Sequence, residues 1–317
     1  MGLFHDSDAI QTLSEHIKDS EAGASSHWLE MHRDFSFHQG KLAGIKGFGT
    51  YQLLRAGSKS YVQRVAHVFF QRRFRAMGSS LPPFLKVDRV GYEISARQNQ
   101  QYGLDRLRQV LTLSLLLDRI PHAFADDRAT LVIGDGFGML SALLLATSAT
   151  RKVVVVNLTK TLLVDMIFIR MALPDVGVAL ATSQAGFDRG MGDARVSVVA
   201  LRSDDYSFFQ SAKIGVAVNV ASMQEMNPPT IANYFSALRQ VSGRELFFYC
   251  CNREEKRLPD GTNVRFSDYP WSVDDGVLLD EPCPWHQEFY QLGWPIFRPY
   301  DGPIRHRLAL LSRKAIV

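Results

Sequence analysis

The stretch "LVIGDGFGML", Leu131–Leu140, decides the fold: an apolar run passes into three glycines, Gly134, Gly136 and Gly138, and then into an apolar helix. A glycine turn behind a strand lets backbone approach a ligand closely, because no Cβ intervenes. Three ligand classes use such turns. A nucleoside triphosphate needs GxxxxGK[ST], but Met139 and Leu140 follow Gly138 and no lysine is present. A dinucleotide needs GxGxxG, whose third glycine would fall at Met139, and its pyrophosphate would meet Asp135 at a helix N-terminus. S-adenosylmethionine carries a sulfonium, an ammonium and a carboxylate but no phosphate, so Asp135 is tolerable or helpful beside it. The competing structural reading is a glycine turn that only packs.

Outward from this turn, strand and helix patterns alternate. Strands are read in "ATLVIG", "KVVVVNL", "RVSVVAL", "IGVAVNV" and "RELFFYCC", with helices in "MLSALLLATSA", "TLLVDMIFIRMAL" and "PTIANYFSALRQV". The strands are near-continuous apolar runs, as in sheets covered on both faces. The pattern describes an α/β fold with a doubly wound, Rossmann-like sheet, mostly parallel, closed by an antiparallel edge hairpin of "WPIFRPY" and "RHRLALLSRK". Residues 1–95 read as an N-terminal helical region, expected to cap substrate or to oligomerise. It holds helices in "SDAIQTLSEHIKDSE" and "SKSYVQRVAHVFFQRRFRAM", the latter with Val62, Val65, Ala66 and Phe69 on one face, and a flexible joint near Gly47. Residues 96–317 read as the ligand-binding domain, with a lid-like insertion at about 252–293.

Composition narrows the function classes. The chain has 317 residues, 46% hydrophobic and 21% charged, with a formal net charge of +4, an ordinary globular balance that does not argue for nucleic acid. The apolar stretch Val132–Ala149 is broken by Asp135 and three glycines, so no membrane span is expected. "MGLFHDSDAI" lacks a secretory pattern, and with only three cysteines a cytoplasmic location is expected. Cys250 and Cys251 are adjacent and point to opposite strand faces, Cys283 stands alone, and no CxxC pair occurs. Neither a cysteine zinc site nor a disulfide framework is expected. The acid pairs Asp126-Asp127, Asp204-Asp205 and Asp274-Asp275 do not combine with a further acid and Asn at a core strand end, so no essential metal is expected.

Ligands of doubly wound sheets bind at the carboxyl ends of the strands. The second strand read ends at Asn157-Leu158, where Asn can bind a ribose diol. The third runs into Asp204-Asp205, placed for an adenine amino group or for solvent. The fourth ends in "NVASMQEMNPP", offering Asn219, Ser222, Gln224 and Glu225 beside a methyl-transfer position.

These residues resemble the sugar O-methyltransferase family of class I S-adenosylmethionine-dependent enzymes. The resemblance rests on "RQNQQYGLDRLRQVLTLSLLLD", "VIGDGFGML", "VNLTKTLLVD", "NVASMQEMNPPTIANYF", "YCCNREEKRLPDG", "FSDYPW" and "HRLALL", covering roughly Arg97 to Leu311. It implies an O-methyltransferase with S-adenosyl-L-methionine as cofactor and S-adenosyl-L-homocysteine as product. Its acceptor would be a small molecule, a sugar or glycosylated metabolite. An NAD(P)-dependent oxidoreductase and a methyltransferase acting on N or C are the rival readings, and a homodimer is compatible with the chain. Gly134, Asp135, Gly136, Gly138, Asn157, Leu158, Asp204, Asn219 and Ser222 are the cofactor candidates. A hydroxyl needs a proton acceptor. Glu225 is the first candidate, against a helix-cap role, and His286 in "CPWHQEFY" is the second. Asp165, Gln224, Tyr269, Trp271 and Trp285 are candidates for binding the acceptor, with core packing as the alternative for the aromatics. Arg253, Lys256 and Arg257 would suit an acidic acceptor or form a solvated cluster.

Overall fold

Leu131 lies in the middle of a nine-stranded sheet in the computed structural model, which describes residues 2–38, 41–44, 61–124, 127–243, 245–291 and 293–313. The chain opens with β1 (Leu3–His5), α1 (Asp6–Glu15), α2 (Ser26–Met31) and a hairpin of β2 (Ser36–His38) and β3 (Lys41–Ala43). Three long helices follow, α3 (Tyr61–Gly78), α4 (Phe84–Arg97) and α5 (Leu104–Arg119), then the short α6 (Pro121–Phe124). The alternating part runs β4 (Ala129–Ile133), α7 (Met139–Ala146), β5 (Val153–Asn157), α8 (Thr159–Ala172), β6 (Gly177–Ala181), α9 (Gln184–Gly192), β7 (Val196–Arg202), β8 (Ile214–Val220), α10 (Pro228–Leu238) and β9 (Phe247–Arg253). The C-terminal part holds β10 (Glu255–Arg257), β11 (Asn263–Arg265), β12 (Gly276–Pro282), β13 (Glu288–Tyr290), β14 (Phe297–Pro299) and β15 (Ile304–Leu310).

The strand order is β1-β6-β7-β5-β4-β8-β9-β15-β12. Strands β6 to β9 are mutually parallel, and β1, β15 and β12 pair antiparallel at the two edges. Val132 pairs with Val155 on one side and Val218 on the other. Alternation along the strands divides the core in two. Val153 and Val155 face a layer that includes α4, α5, α7 and α8, whereas Val154 and Val156 face α9 and α10. The chain leaves β4 toward β5 and later returns to its other side as β8, so the glycine turn after β4 sits at the switch point of the sheet.

Fold class and central strands follow the sequence reading; several details differ. The antiparallel edge is β15 with β12, while "WPIFRPY" supplies β14, which pairs with β13 instead. Within the 252–293 segment, β12 extends the sheet, while Arg253 and His286 reach the cleft. On α3, Val65 and Phe69 are exposed, and Gln71 and Phe74 are the buried residues; the side chain of Val62 and the joint near Gly47 lie outside the described residues. Strand β6 was not anticipated, because "GVALA" is rich in residues of low strand preference. Residues 1–95 do not stand apart: β1 is hydrogen-bonded to β6 in the main sheet. No helix among the described residues is long and apolar enough to cross a membrane.

Candidate functional site

The turn after β4 is built from left-handed backbone. Gly134 has φ 71°, and Gly136, Phe137 and Gly138 follow in succession at 61°, 67° and 58°. Only glycine adopts this region without penalty, so Phe137 stores strain of about 1–2 kcal/mol. Ala221, at φ 56°, is a second strained residue, and both line the same cleft. Gly134 is glycine for a further reason: a Cβ there would lie 2.0 Å from Ser222 Oγ.

Such a turn leaves amides that need acceptors, and two buried acids supply them. The Asp135 carboxylate accepts from Leu140 N at 2.9 Å and Ser141 N at 2.7 Å, closing the N-terminus of α7. Asp165, fully buried on α8, accepts from Gly138 N at 3.0 Å through one oxygen and from Asn157 Nδ2 at 2.8 Å through the other. Burial raises the pKa of both acids above the ordinary carboxylate value, and their mutual repulsion adds to the rise at Asp165. Asn157 Oδ1 in turn accepts from Leu158 N and Thr161 Oγ1. Asp165 therefore ties the turn to the end of β5 and does not face the cleft, which corrects its assignment to the acceptor.

Asn219 is likewise a fastener. Its Nδ2 donates to Ile133 O at 2.9 Å, and its Oδ1 accepts from Met223 N and Asn252 Nδ2. Asn252 Oδ1 accepts from Gln224 N, and Gln224 Oε1 accepts from Arg253 N. These bonds stitch the "SMQEM" loop across the ends of β4, β8 and β9. Asn219 is fully buried, so it positions this loop rather than touching a ligand.

The resulting cleft has a volume of about 410 Å³. Its floor is Gly134–Phe137 with Asn157; one wall is Ser222, Gln224 and Glu225, and the other is Asp105, Arg108 and Gln109 of α5. Tyr300 closes one end, flanked by the guanidinium carbons of Arg108 and Arg253 at 5.2 and 5.3 Å from its ring centroid. A narrower recess runs beside β5 between Asn157, Leu158, Ser203, Met226 and Tyr234. Asp204 is exposed and lines neither space; Asp205 pairs with Arg202 at 2.9 Å.

The N-terminal segment crosses this cleft, a contact the sequence reading missed. Glu21 Oε1 accepts from Thr159 N at 2.7 Å, Thr159 Oγ1 at 2.9 Å and Ser203 Oγ at 3.2 Å, joining the ends of β5 and β7. Burial raises the Glu21 carboxyl above its usual value, and Asp204 adds to that. Ser25 Oγ donates to the Glu225 carbonyl, and Trp28 lines both cleft and recess. Glu225 itself sits between Lys256 Nζ at 2.6 Å and His27 Nε2 at 3.5 Å. Burial lowers His27 below its ordinary pKa, so its imidazole is neutral near pH 7. The only hint in the sequence was an apolar-polar cluster, "SSHWLEM", in a region otherwise read as a separate cap.

Four further expectations are corrected. Tyr269 is buried against Phe235 and Phe266, and Trp271 packs on Phe235 and Phe248; neither lines the cleft. Trp285 is buried edge-on to His306. Among the described residues, the aromatic rings that line the cleft besides the His286 imidazole are Trp28, Phe137 and Tyr300. His286 reaches the cleft wall, but its burial, then Arg108 and His306, hold its pKa well below 6.5, which makes it a poor proton acceptor at neutral pH.

Protein-family models give no match to the chain, and neither do curated proteins. Solved structures give distant likenesses. One concerns conversion of a disulfide bond into a thioacetal group in echinomycin biosynthesis, at 12% identity and TM-score 0.38, covering 62% of this chain and 80% of that one. A bacterial CtHen1 methyltransferase domain matches at 12% identity and TM-score 0.37, covering 66% and 100%. An O-methyltransferase family 2 protein from Planctomyces limnophilus, in complex with apigenin, matches at 11% identity and TM-score 0.35, covering 58% and 51%. Likeness this remote carries no argument about cofactor or acceptor.

Proposed function

We propose that this chain is an S-adenosyl-L-methionine-dependent O-methyltransferase acting on a hydroxyl of a sugar or glycosylated small metabolite. The observation that carries the reading is what occupies the N-terminus of α7. A dinucleotide would place its pyrophosphate on the free amides there. Here Leu140 N and Ser141 N are already bonded to Asp135, and Gly138 N to Asp165. Asp135, which lines the cleft, suits a cationic ligand, and these three amides are not open to a phosphate. The residues present fit such a ligand. The glycine turn and Ser222 allow close approach at its centre, Asp105 and the unpartnered Gln109 Oε1 face an ammonium, and the recess beside Leu158 and Tyr234 accepts a flat base.

When bound, the cofactor supplies an electrophilic methyl group. The chain's own part is alignment, exclusion of water and removal of a proton. Glu225, held by Lys256 and His27 at the cleft wall, accepts the proton of the acceptor hydroxyl, and neutral His27 beside it provides a route onward. Trp28 and Tyr300 offer faces on which a sugar ring stacks, and Arg253 suits an acceptor with an anionic group. The product would leave as S-adenosyl-L-homocysteine with a methyl ether. Calorimetric titration with S-adenosyl-L-homocysteine and, separately, with NADH tests the reading: binding of the first alone is expected, and binding of the dinucleotide alone would assign an oxidoreductase instead.

A further inference from the structure

Behind the Tyr300 end of the cleft, three side chains converge that the proposed methyl transfer does not use. Cys251 on β9, Cys283 after β12 and His286 on the following turn place one ligand-type atom each within 4.8 Å of one another, and all three residues are buried. Cys251 and Cys283 are fully buried and unoxidised. Neither ring nitrogen of His286 has a hydrogen-bond partner, although the residue is only 5% exposed. A buried imidazole with both nitrogens unsatisfied is costly relative to a partnered one and calls for an explanation. An ion supplies it.

We infer that Cys251, Cys283 and His286 form a zinc site with three protein ligands. Zinc takes thiolates at about 2.3 Å and imidazole nitrogen at about 2.0 Å, so tetrahedral ligand atoms lie roughly 3.3–3.8 Å apart. The three atoms, within 4.8 Å of one another, would draw together to that spacing on binding the ion. The spacing Cys283-x-x-His286 is a ligand pair on one turn, closed by His286 N donating to Cys283 O at 3.1 Å. Both thiols lose their protons to solvent on binding, so the filled centre, two thiolates and a neutral imidazole around a dication, is neutral. The phenol of Tyr249, bonded to His306 Nδ1 at 3.0 Å, stands beside Cys251 as an outer partner. His286 also lines the cleft, so the open fourth position gives onto it. Three ligands with an open position are the pattern of a catalytic rather than a structural ion, able to polarise a hydroxyl. That last consequence alone rests on the methyl-transfer reading. The site departs from the sequence expectation of no metal, which considered CxxC and paired acids and not "CPWH".

The test uses the full chain, purified in reducing buffer and loaded with zinc or cobalt(II). The expected result is one ion per chain after desalting, with a cobalt spectrum showing thiolate charge transfer and intense tetrahedral bands that shift on adding azide. Cys283→Ser and His286→Ala should each weaken zinc binding at least tenfold, read by competition with a chromogenic chelator, while Cys250→Ala, on the other sheet face, binds as wild type. Wild-type protein that takes up no stoichiometric ion overturns the site whatever the variants do, as does a Cys251–Cys283 disulfide found by mass spectrometry. Equal zinc binding by the Cys283 and His286 variants also overturns it, and an azide-insensitive cobalt spectrum overturns the open position. None of these readouts depends on whether S-adenosyl-L-homocysteine binds.

Discussion

Replacing Asp165 with alanine separates a fastener from an acceptor-binding acid. Asp165 is fully buried, and its two oxygens accept from Gly138 N and Asn157 Nδ2. Alanine orphans both donors in the interior. Each unsatisfied group costs about 1–3 kcal/mol, so the variant should lose about 2–6 kcal/mol, against a total of about 5–15 kcal/mol for a domain. Gly138 would also lose the bond that holds it in the left-handed region, and the turn should lose its grip on the cofactor. Urea unfolding at fixed pH measures the first effect, and calorimetry with S-adenosyl-L-homocysteine measures the second. Asp165→Asn keeps the shape and one acceptor, so roughly half of the loss is expected. An acid that contacts the acceptor would behave oppositely, raising KM for the acceptor while stability and cofactor affinity stay at wild-type values. Stability within about 0.5 kcal/mol of wild type together with unchanged cofactor affinity refutes the tether.

Gly134→Ala forces a side chain into φ 71° and puts Cβ 2.0 Å from Ser222 Oγ; the backbone term alone costs about 1–2 kcal/mol, and calorimetry should show at least tenfold weaker S-adenosyl-L-homocysteine binding. Glu225→Gln should lower kcat by about 10²–10⁴-fold with S-adenosyl-L-homocysteine affinity retained, measured once an acceptor is in hand; a kcat within threefold of wild type would remove Glu225 from proton transfer. His32 is held down to about 4 by burial, with Lys160 and His27 adding, and its Nε2 has no hydrogen-bond partner. The unfolded chain takes this proton near pH 6.5 and the folded one only near 4, so stability is lost as pH falls through that window, by up to about 3 kcal/mol. His32→Phe should flatten that part of the pH–stability curve, read as the difference from wild type in urea midpoints at about pH 4.5 and about pH 7, toward the two ends of that window.

The parts of this molecule legible in the sequence are those held by local pattern. Val153–Val156 had to be a strand buried on both faces, and the spacing of Gly134, Gly136 and Gly138 had to be a turn at its neighbour's end. What escaped depends on contacts far apart along the chain. Ser25 meets Glu225 across 200 residues, and Glu21 meets Thr159 across 138, with no periodicity to announce either. Strand β15 enters between β9 and β12 for a similar reason: an apolar run shows that a strand exists, not beside which strand it lies.

The misplaced site residues share a cause. A polar group at the carboxyl end of a strand in this fold has two suitors, the ligand and the backbone of the turn that will hold the ligand. Three successive left-handed residues, Gly136, Phe137 and Gly138, strip that turn of the regular bonds a helix or strand would provide. Side chains nearby take their place: Asp165 accepts from Gly138 N, Asp135 closes the start of α7, and Asn219 ties the loop after β8 to the Ile133 carbonyl. The tighter a ligand turn is wound, the more of its neighbouring acids and amides are committed to holding it. The rest of the cleft wall then comes from elements that do not build the turn, here Trp28, Asp105, Gln109 and Tyr300, and these are the positions that a motif centred on the glycines does not reach.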